Sequence, residues 1–316
     1  MFVISFQSSV IAIAQIFAVG AVGYFLVRKG PVDQSGLKLL SFLSVNVTFP
    51  FFIFYQITHN FEPLRMSFWW GYPLINIALT LTGLSLTALA FLAMRKPLKD
   101  EVLAASSLHN AGFIPLLLAM TLPLEDASGK VYAAVIISII GFDLCLWSLG
   151  VWLMTRKQSP HMELKNMINP PLCSMAAAIV FVLLFGNAAV PPVLMKPVKL
   201  IGDSAMALAM LVIGGNLAMT KFTSIDARKL GAVVGLKLVA LPVCALVALA
   251  FLRLDPIMSF VVMVQACMPT AITLSIIGRH YGTSNQDFIN QSIFFTHVLC
   301  LVTVPVFLGI YGHWVH

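Results

Sequence analysis

Charge is what this chain has least of. Asp, Glu, Lys and Arg make up 10% of its 316 residues against 59% hydrophobic, with a mean hydropathy of +0.95. So little polar surface cannot cover a soluble core, and the composition excludes a soluble domain. The five cysteines, Cys145, Cys173, Cys244, Cys267 and Cys300, form no CxxC pair and fall in apolar stretches, as small packing residues do. Also lacking are a Gly-rich phosphate loop, a nucleophile elbow and a metal-spaced histidine cluster. The chain therefore reads as a non-enzyme, with no cofactor and no nucleotide-binding part.

What is present is long apolar runs. Windows of about 20 apolar residues predict ten membrane spans, near 8–27, 37–58, 69–93, 102–122, 131–154, 170–186, 199–219, 229–252, 257–278 and 287–311. The expected class is an all-α polytopic membrane protein whose partner is the lipid bilayer. Trp69, Trp70, Trp152 and Trp314 fall near span ends, where aromatic belts form.

The formal net charge of +7 suggests nucleic acid until its placement is seen. Thirteen of the nineteen basic residues follow odd-numbered spans: Arg28, Lys29, Lys38, Arg95, Lys96, Lys99, Arg156, Lys157, Lys165, Lys221, Arg228, Lys229 and Arg279. Five follow even-numbered spans, and Lys237 lies inside one. Cytoplasmic loops collect Lys and Arg, so both termini are expected outside the cytoplasm, in a cell inner (plasma) membrane, with no nucleic-acid partner. The uncharged stretch Met1–Val27, followed by Arg28-Lys29, is the reverse of a signal peptide.

Two spans are interrupted near their middles, by His109-Asn110-Ala111-Gly112-Phe113-Ile114-Pro115 and by Gln265-Ala266-Cys267-Met268-Pro269-Thr270. Broken helices are tolerated in hydrocarbon only where the freed backbone faces protein or a wet cavity, and in transporters they mark the binding site. The breaks lie about half the chain apart, in the fourth and ninth spans. An odd number of spans per half then predicts a 5+5 inverted repeat, residues 1–165 and 166–316.

Several motifs carry a resemblance: Asn46-Val47-Thr48-Phe49-Pro50, Asn110-Ala111-Gly112-Phe113, the run 201–215, Leu238-Val239-Ala240-Leu241-Pro242, Met268-Pro269-Thr270-Ala271 and Arg279-His280-Tyr281-Gly282-Thr283. In this order they resemble the auxin efflux carrier family, bacterial permeases related to the plant PIN-FORMED proteins. The resemblance implies a scaffold domain from spans 1, 2, 6 and 7 and a transport domain from spans 3–5 and 8–10. It implies that spans 4 and 9 cross at their breaks, that small organic anions are moved, and that the scaffold forms a homodimer. One departure is the early Pro115, where the family's fourth span usually has a glycine and a later proline.

The candidate substrate residues are Asn110, Gly112, Pro115, Gln265, Pro269 and Thr270 at the breaks, with Asn46 and Thr48 in the second span. A half-helix starting at a break aims unpaired N–H groups at a carboxylate. Asn110 either contacts a ligand or repairs freed backbone, and the prolines shape the site. For proton coupling the candidates are Asp143, His297 and His109. Asp143 and His297 occupy corresponding places in spans 5 and 10, as a proton-carrying pair or a static bond. Lys237 either snorkels to the cytoplasmic interface or supplies positive charge for an anion. Asp203 is expected to cap its helix, and Asn216 to line the path or bond across helices. Gly214-Gly215 reads as a close helix contact.

The expected function is a secondary, elevator-type or rocking carrier of small organic anions driven by protons, with sodium the weaker alternative. A sodium-coupled carrier resembling the bile-acid symporters, a membrane sensor and a channel are the competing readings.

Overall fold

The computed structural model describes residues 2–61, 68–121, 128–156, 168–186, 191–222, 225–282 and 285–315. Lys157, Lys165 and Thr283, named above, lie outside these residues, as does the side chain of Trp314. The chain is nearly all helix: α1 (Phe2–Arg28), α2 (Gln34–Asn60), α3 (Gly71–Ala93), α4 (Asp100–Ser107), α5 (Phe113–Thr121) and α6 (128–155). Then follow α7 (Pro170–Phe185), α8 (Pro192–Met219), α9 (Ala227–Phe251), α10 (Pro256–Ala266), α11 (Thr273–Tyr281) and α12 (Gln286–Val315). No strand occurs among the described residues; a single antiparallel bridge joins His109 to Thr270.

Six of these helices, α2, α3, α6, α8, α9 and α12, are long and apolar enough to cross a membrane. This is a multi-pass membrane protein. The outward faces match that solvent, since Leu89, Leu92, Leu184, Leu200 and Phe251 are exposed.

Helix ends follow local chemistry. Asp33 caps α2 by accepting from the Gly36 amide at 2.8 Å, and Asp255 caps α10 through the amides of Ile257 and Met258. Asn169 caps α7 in the same way, and both α7 and α10 carry proline at their first position. Gly186 and Gly282, at φ of 76° and 77°, end α7 and α11 in a backbone region only glycine enters freely. Asp203 is not a cap. The helix that holds it begins earlier, at Pro192, so Asp203 lies well inside α8 and pairs with Lys199 one turn back.

α1 packs along α8, and α2 packs against both α7 and α8. Close approach there needs glycine: a Cβ on Gly214 would overlap the Gly20 carbonyl, and one on Gly202 would meet the backbone at Phe52. α3 lies against α4 and α6, and α10 packs on α3, α6, α9 and α12. Short π-helical turns interrupt α2 at Ser44–Thr48, α6 at Leu146–Gly150 and α9 at Leu236–Ala240. Trp69 packs edge-on against Phe61, and Trp152 lies against the Arg156 guanidinium at 4.9 Å.

Candidate functional site

The two interrupted segments cross. The Asn110 amide donates to the Pro269 carbonyl at 2.8 Å, and the Ala271 amide donates to the Leu108 carbonyl at 3.0 Å. Each break thus satisfies backbone groups of the other, which is what non-helical chain requires inside hydrocarbon. Pro115 does not break a helix: it sits in the first turn of α5, where the missing N–H costs nothing. Pro269 contributes the carbonyl that holds Asn110.

Side chains finish the repair. Thr270 Oγ1 donates to the Ala105 carbonyl at 2.7 Å, and its amide donates to Thr296 Oγ1. Gln265 Nε2 donates to the Ala111 carbonyl at 3.0 Å and to Ser138 Oγ at 3.1 Å. His109 is wholly buried, and its Nε2 lies 2.9 Å from Asn76 Oδ1. Because that oxygen only accepts, Nε2 carries the proton and Nδ1 is bare, with no partner among the described residues. Asn76 in turn donates through Nδ2 to the Ser138 carbonyl at 2.7 Å.

Beside the crossing lies a small cavity of about 60 Å³. Its polar wall is Asn110, His109, Asp143 and Thr273; its apolar wall includes Phe49 of α2 and Trp147 of α6. Gly112 lines it too, so the cavity meets the first turns of both α5 and α11, where the positive helix ends lie. Asp143 has no hydrogen-bond or ion-pair partner among the described residues. Trp147 is 1% exposed, its Nε1 has no partner among the described residues, and its ring meets Phe49 edge-on at 5.6 Å.

Asp143 and His297 are not bonded to each other. His297 Nδ1 donates to the Ile293 carbonyl at 2.8 Å, and Nε2 lies 3.3 Å from Asn110 Nδ2. The first bond fixes the neutral tautomer, so Nε2 accepts from Asn110. On its other side His297 borders a second, apolar cavity, lined by Phe17, Gly20 and Leu217 among others.

Lys237 does not snorkel. It is fully buried, and Nζ donates to the Ser107 carbonyl at 3.1 Å, on the last residue of α4. Asn46 and Thr48 turn to their own helix, toward the carbonyls of Phe42 and Ser44, and do not line the cavity beside the crossing. Asn216 bonds Ser275 Oγ at 2.8 Å and accepts from Arg279 Nε at 2.7 Å, joining α8 to α11.

Sequence reasoning passed over Trp147, Asn76 and Ser138. Trp147 stands four residues after Asp143, the spacing that places two side chains on one helix face, and that signal was available. Asn76 is a polar residue inside an apolar span, which is itself a flag.

Crossed, broken helices around a cavity in a multi-pass helical membrane protein define the transporter class. The family model described as "Membrane transport protein" matches residues 8–161 and 153–308. The chain belongs to that family, the auxin efflux carrier family, whose members are membrane transporters and not enzymes. It is similar to Protein PIN-LIKES 5 of Arabidopsis thaliana, with 22% identity over 167 residues, which cover 48% of this chain and 42% of that protein. The chain thus matches less than half the length of that relative.

Proposed function

We propose that this protein is a secondary carrier of small organic anions, with the carboxylate held at the crossing beside Asn110. The observation that supports this is the cavity meeting the first turns of α5 and α11, because helix N-termini attract anions. In this reading α1, α2, α7 and α8 form a scaffold through which two copies associate. The remaining helices move past it, elevator fashion, as a transport domain. The two halves, 1–165 and 166–316, form a 5+5 inverted repeat with ten spans, in an inner (plasma) membrane with both termini outside the cytoplasm.

Within the cavity Asn110 and the helix ends bind, Gly112 leaves room, and Gln265, Thr270, Pro115 and Pro269 hold the crossing in shape. Asp143 carries the coupling proton. It lines the same cavity as the anion site, and an ionised carboxylate there opposes a bound anion, so proton and substrate bind together. His109 and His297 support it, one holding the crossing through Asn76 and the other orienting Asn110.

The test is uptake of radiolabelled indole-3-acetate, malate and malonate into proteoliposomes, with and without an imposed pH gradient, for wild type and Asp143→Asn. Gradient-stimulated uptake of one acid that is lost in the variant supports the reading. Uptake driven by sodium and indifferent to pH replaces it with a sodium-coupled carrier; no uptake removes the carrier reading for these acids.

A further inference from the structure

A crossing of two broken helices is not by itself selective for anions. It brings together the positive ends of α5 and α11 and the negative, carbonyl ends of α4 and α10. Each end carries roughly half an elementary charge, so the four nearly cancel. The weak preference for anions that the two N-terminal ends give the cavity must therefore be reinforced by a side chain.

Lys237 is placed to set it. Its ammonium meets the last carbonyl of α4 at 3.1 Å, while no Lys or Arg bonds the carbonyl end of α10 among the described residues. No carboxylate pairs with it either. α3, packed against this part of α9, offers only Tyr72 as a titratable group. α4 offers Asp100, paired with Arg156, and Glu101, bonded to Asn285, both at its opposite end. α12 offers Asp287, which accepts from the Lys221 amide, together with His297, Cys300, Tyr311 and His313; the crossing offers His109. The helix end that accepts from this buried lysine favours its ammonium form and returns part of the cost of burying the charge.

We infer that Lys237 is the fixed counter-charge of the crossing: by neutralising the carbonyl end of α4, it leaves the N–H ends of α5 and α11 in excess and makes the cavity select anions. The inference rests on the carrier reading above. Lys237 does not line the cavity, so it acts through α4 and the crossing as a positioning residue. Asp143, which does line it, is the opposing charge: a proton on Asp143 unmasks the excess that Lys237 maintains.

The experiment measures KM and kcat of proteoliposome uptake for the best-transported acid of the panel, and competition by that acid's uncharged amide. Wild type, Lys237→Met and Lys237→Arg are compared. The expected result is a KM for the acid raised about tenfold in Lys237→Met, with kcat and the amide's competition changed far less. Lys237→Arg keeps the charge and is expected to stay within about threefold of wild type. Equal losses for acid and amide, or loss of kcat alone, make Lys237 a purely structural tie and overturn the inference while leaving the carrier reading intact. Lys237→Gln replaces Lys237→Met if the latter does not fold, and failure of both neutral variants to fold also overturns it. Absence of uptake by wild type overturns the carrier reading and this inference together.

Discussion

Asn110 and Pro269, one from each interrupted segment, are joined through their backbones at 2.8 Å, and Leu108 and Ala271 return the bond at 3.0 Å. Two backbone hydrogen bonds inside a membrane protein therefore link residues about half the chain apart. Neither break is stable alone, because each supplies the partner that the other lacks. A substitution that loosens one side of the crossing is felt on the other.

Gln265 tests that coupling. It joins the Ala111 carbonyl to Ser138, so Gln265→Leu takes the donor from the buried Ala111 carbonyl, while Ser138 Oγ keeps Asn76 Nδ2 at 3.3 Å. The expected cost is about 1–3 kcal/mol. It is measured as a lower midpoint of thermal unfolding in detergent, together with loss of uptake.

Trp147 supplies a donor in the cavity wall that has no partner among the described residues. Trp147→Phe keeps the edge contact with Phe49 and removes the N–H. Uptake kinetics are expected to show a higher KM for the transported acid, by roughly ten- to a hundredfold for one hydrogen bond to a charged group. An unchanged melting midpoint checks that the core is intact.

At the crossing of α1 and α8, Gly214→Val places side-chain carbons against the Gly20 carbonyl. The helices must separate, at a cost of about 1–3 kcal/mol. A reduced yield of folded protein by size-exclusion chromatography is the readout, and Gly231→Ala, where a Cβ meets open space, is the control.

Asp226 caps α9, accepting from the Lys229 amide at 3.2 Å. The Lys229 ammonium, and then that amide, hold its carboxyl below the usual carboxylate range. A depressed folded-state pKa means stabilisation that is present above the ordinary aspartate pKa and lost as pH falls through the folded value. Asp226→Ala is expected to lower the melting midpoint slightly at neutral pH, by roughly half a kcal/mol once solvent screening is allowed for. The difference disappears in acid, as melts at pH 7 and below pH 3 will show.

Apolar runs and breaks were legible along the chain because both are local. A membrane span needs only enough consecutive apolar residues, and the prolines and polar residues at 109–115 and 265–270 interrupt that run wherever they lie. The seventh span, expected from 199, belongs to a helix that starts at Pro192 and runs through Pro197, since a first-turn proline is well tolerated and a later one is accommodated in a helix held by its neighbours. Asp203 was assigned to the wrong part of the helix for the same reason.

Side-chain partners were not legible, because they depend on how helices distant in sequence are brought together. Symmetry between spans 5 and 10 suggested Asp143 with His297, yet His297 finds Ile293 on its own helix and Asn110 on the crossing. The position of Lys237 within its span suggested snorkelling, yet its ammonium ends at Ser107, 130 residues away in the chain. Composition determined that the protein lives in a membrane, and the interrupted spans determined where its helices break. Only the tertiary structure decided which buried donor meets which acceptor, since in a nonpolar interior every polar group takes the partner that packing brings within reach, and that partner is seldom a neighbour in the chain.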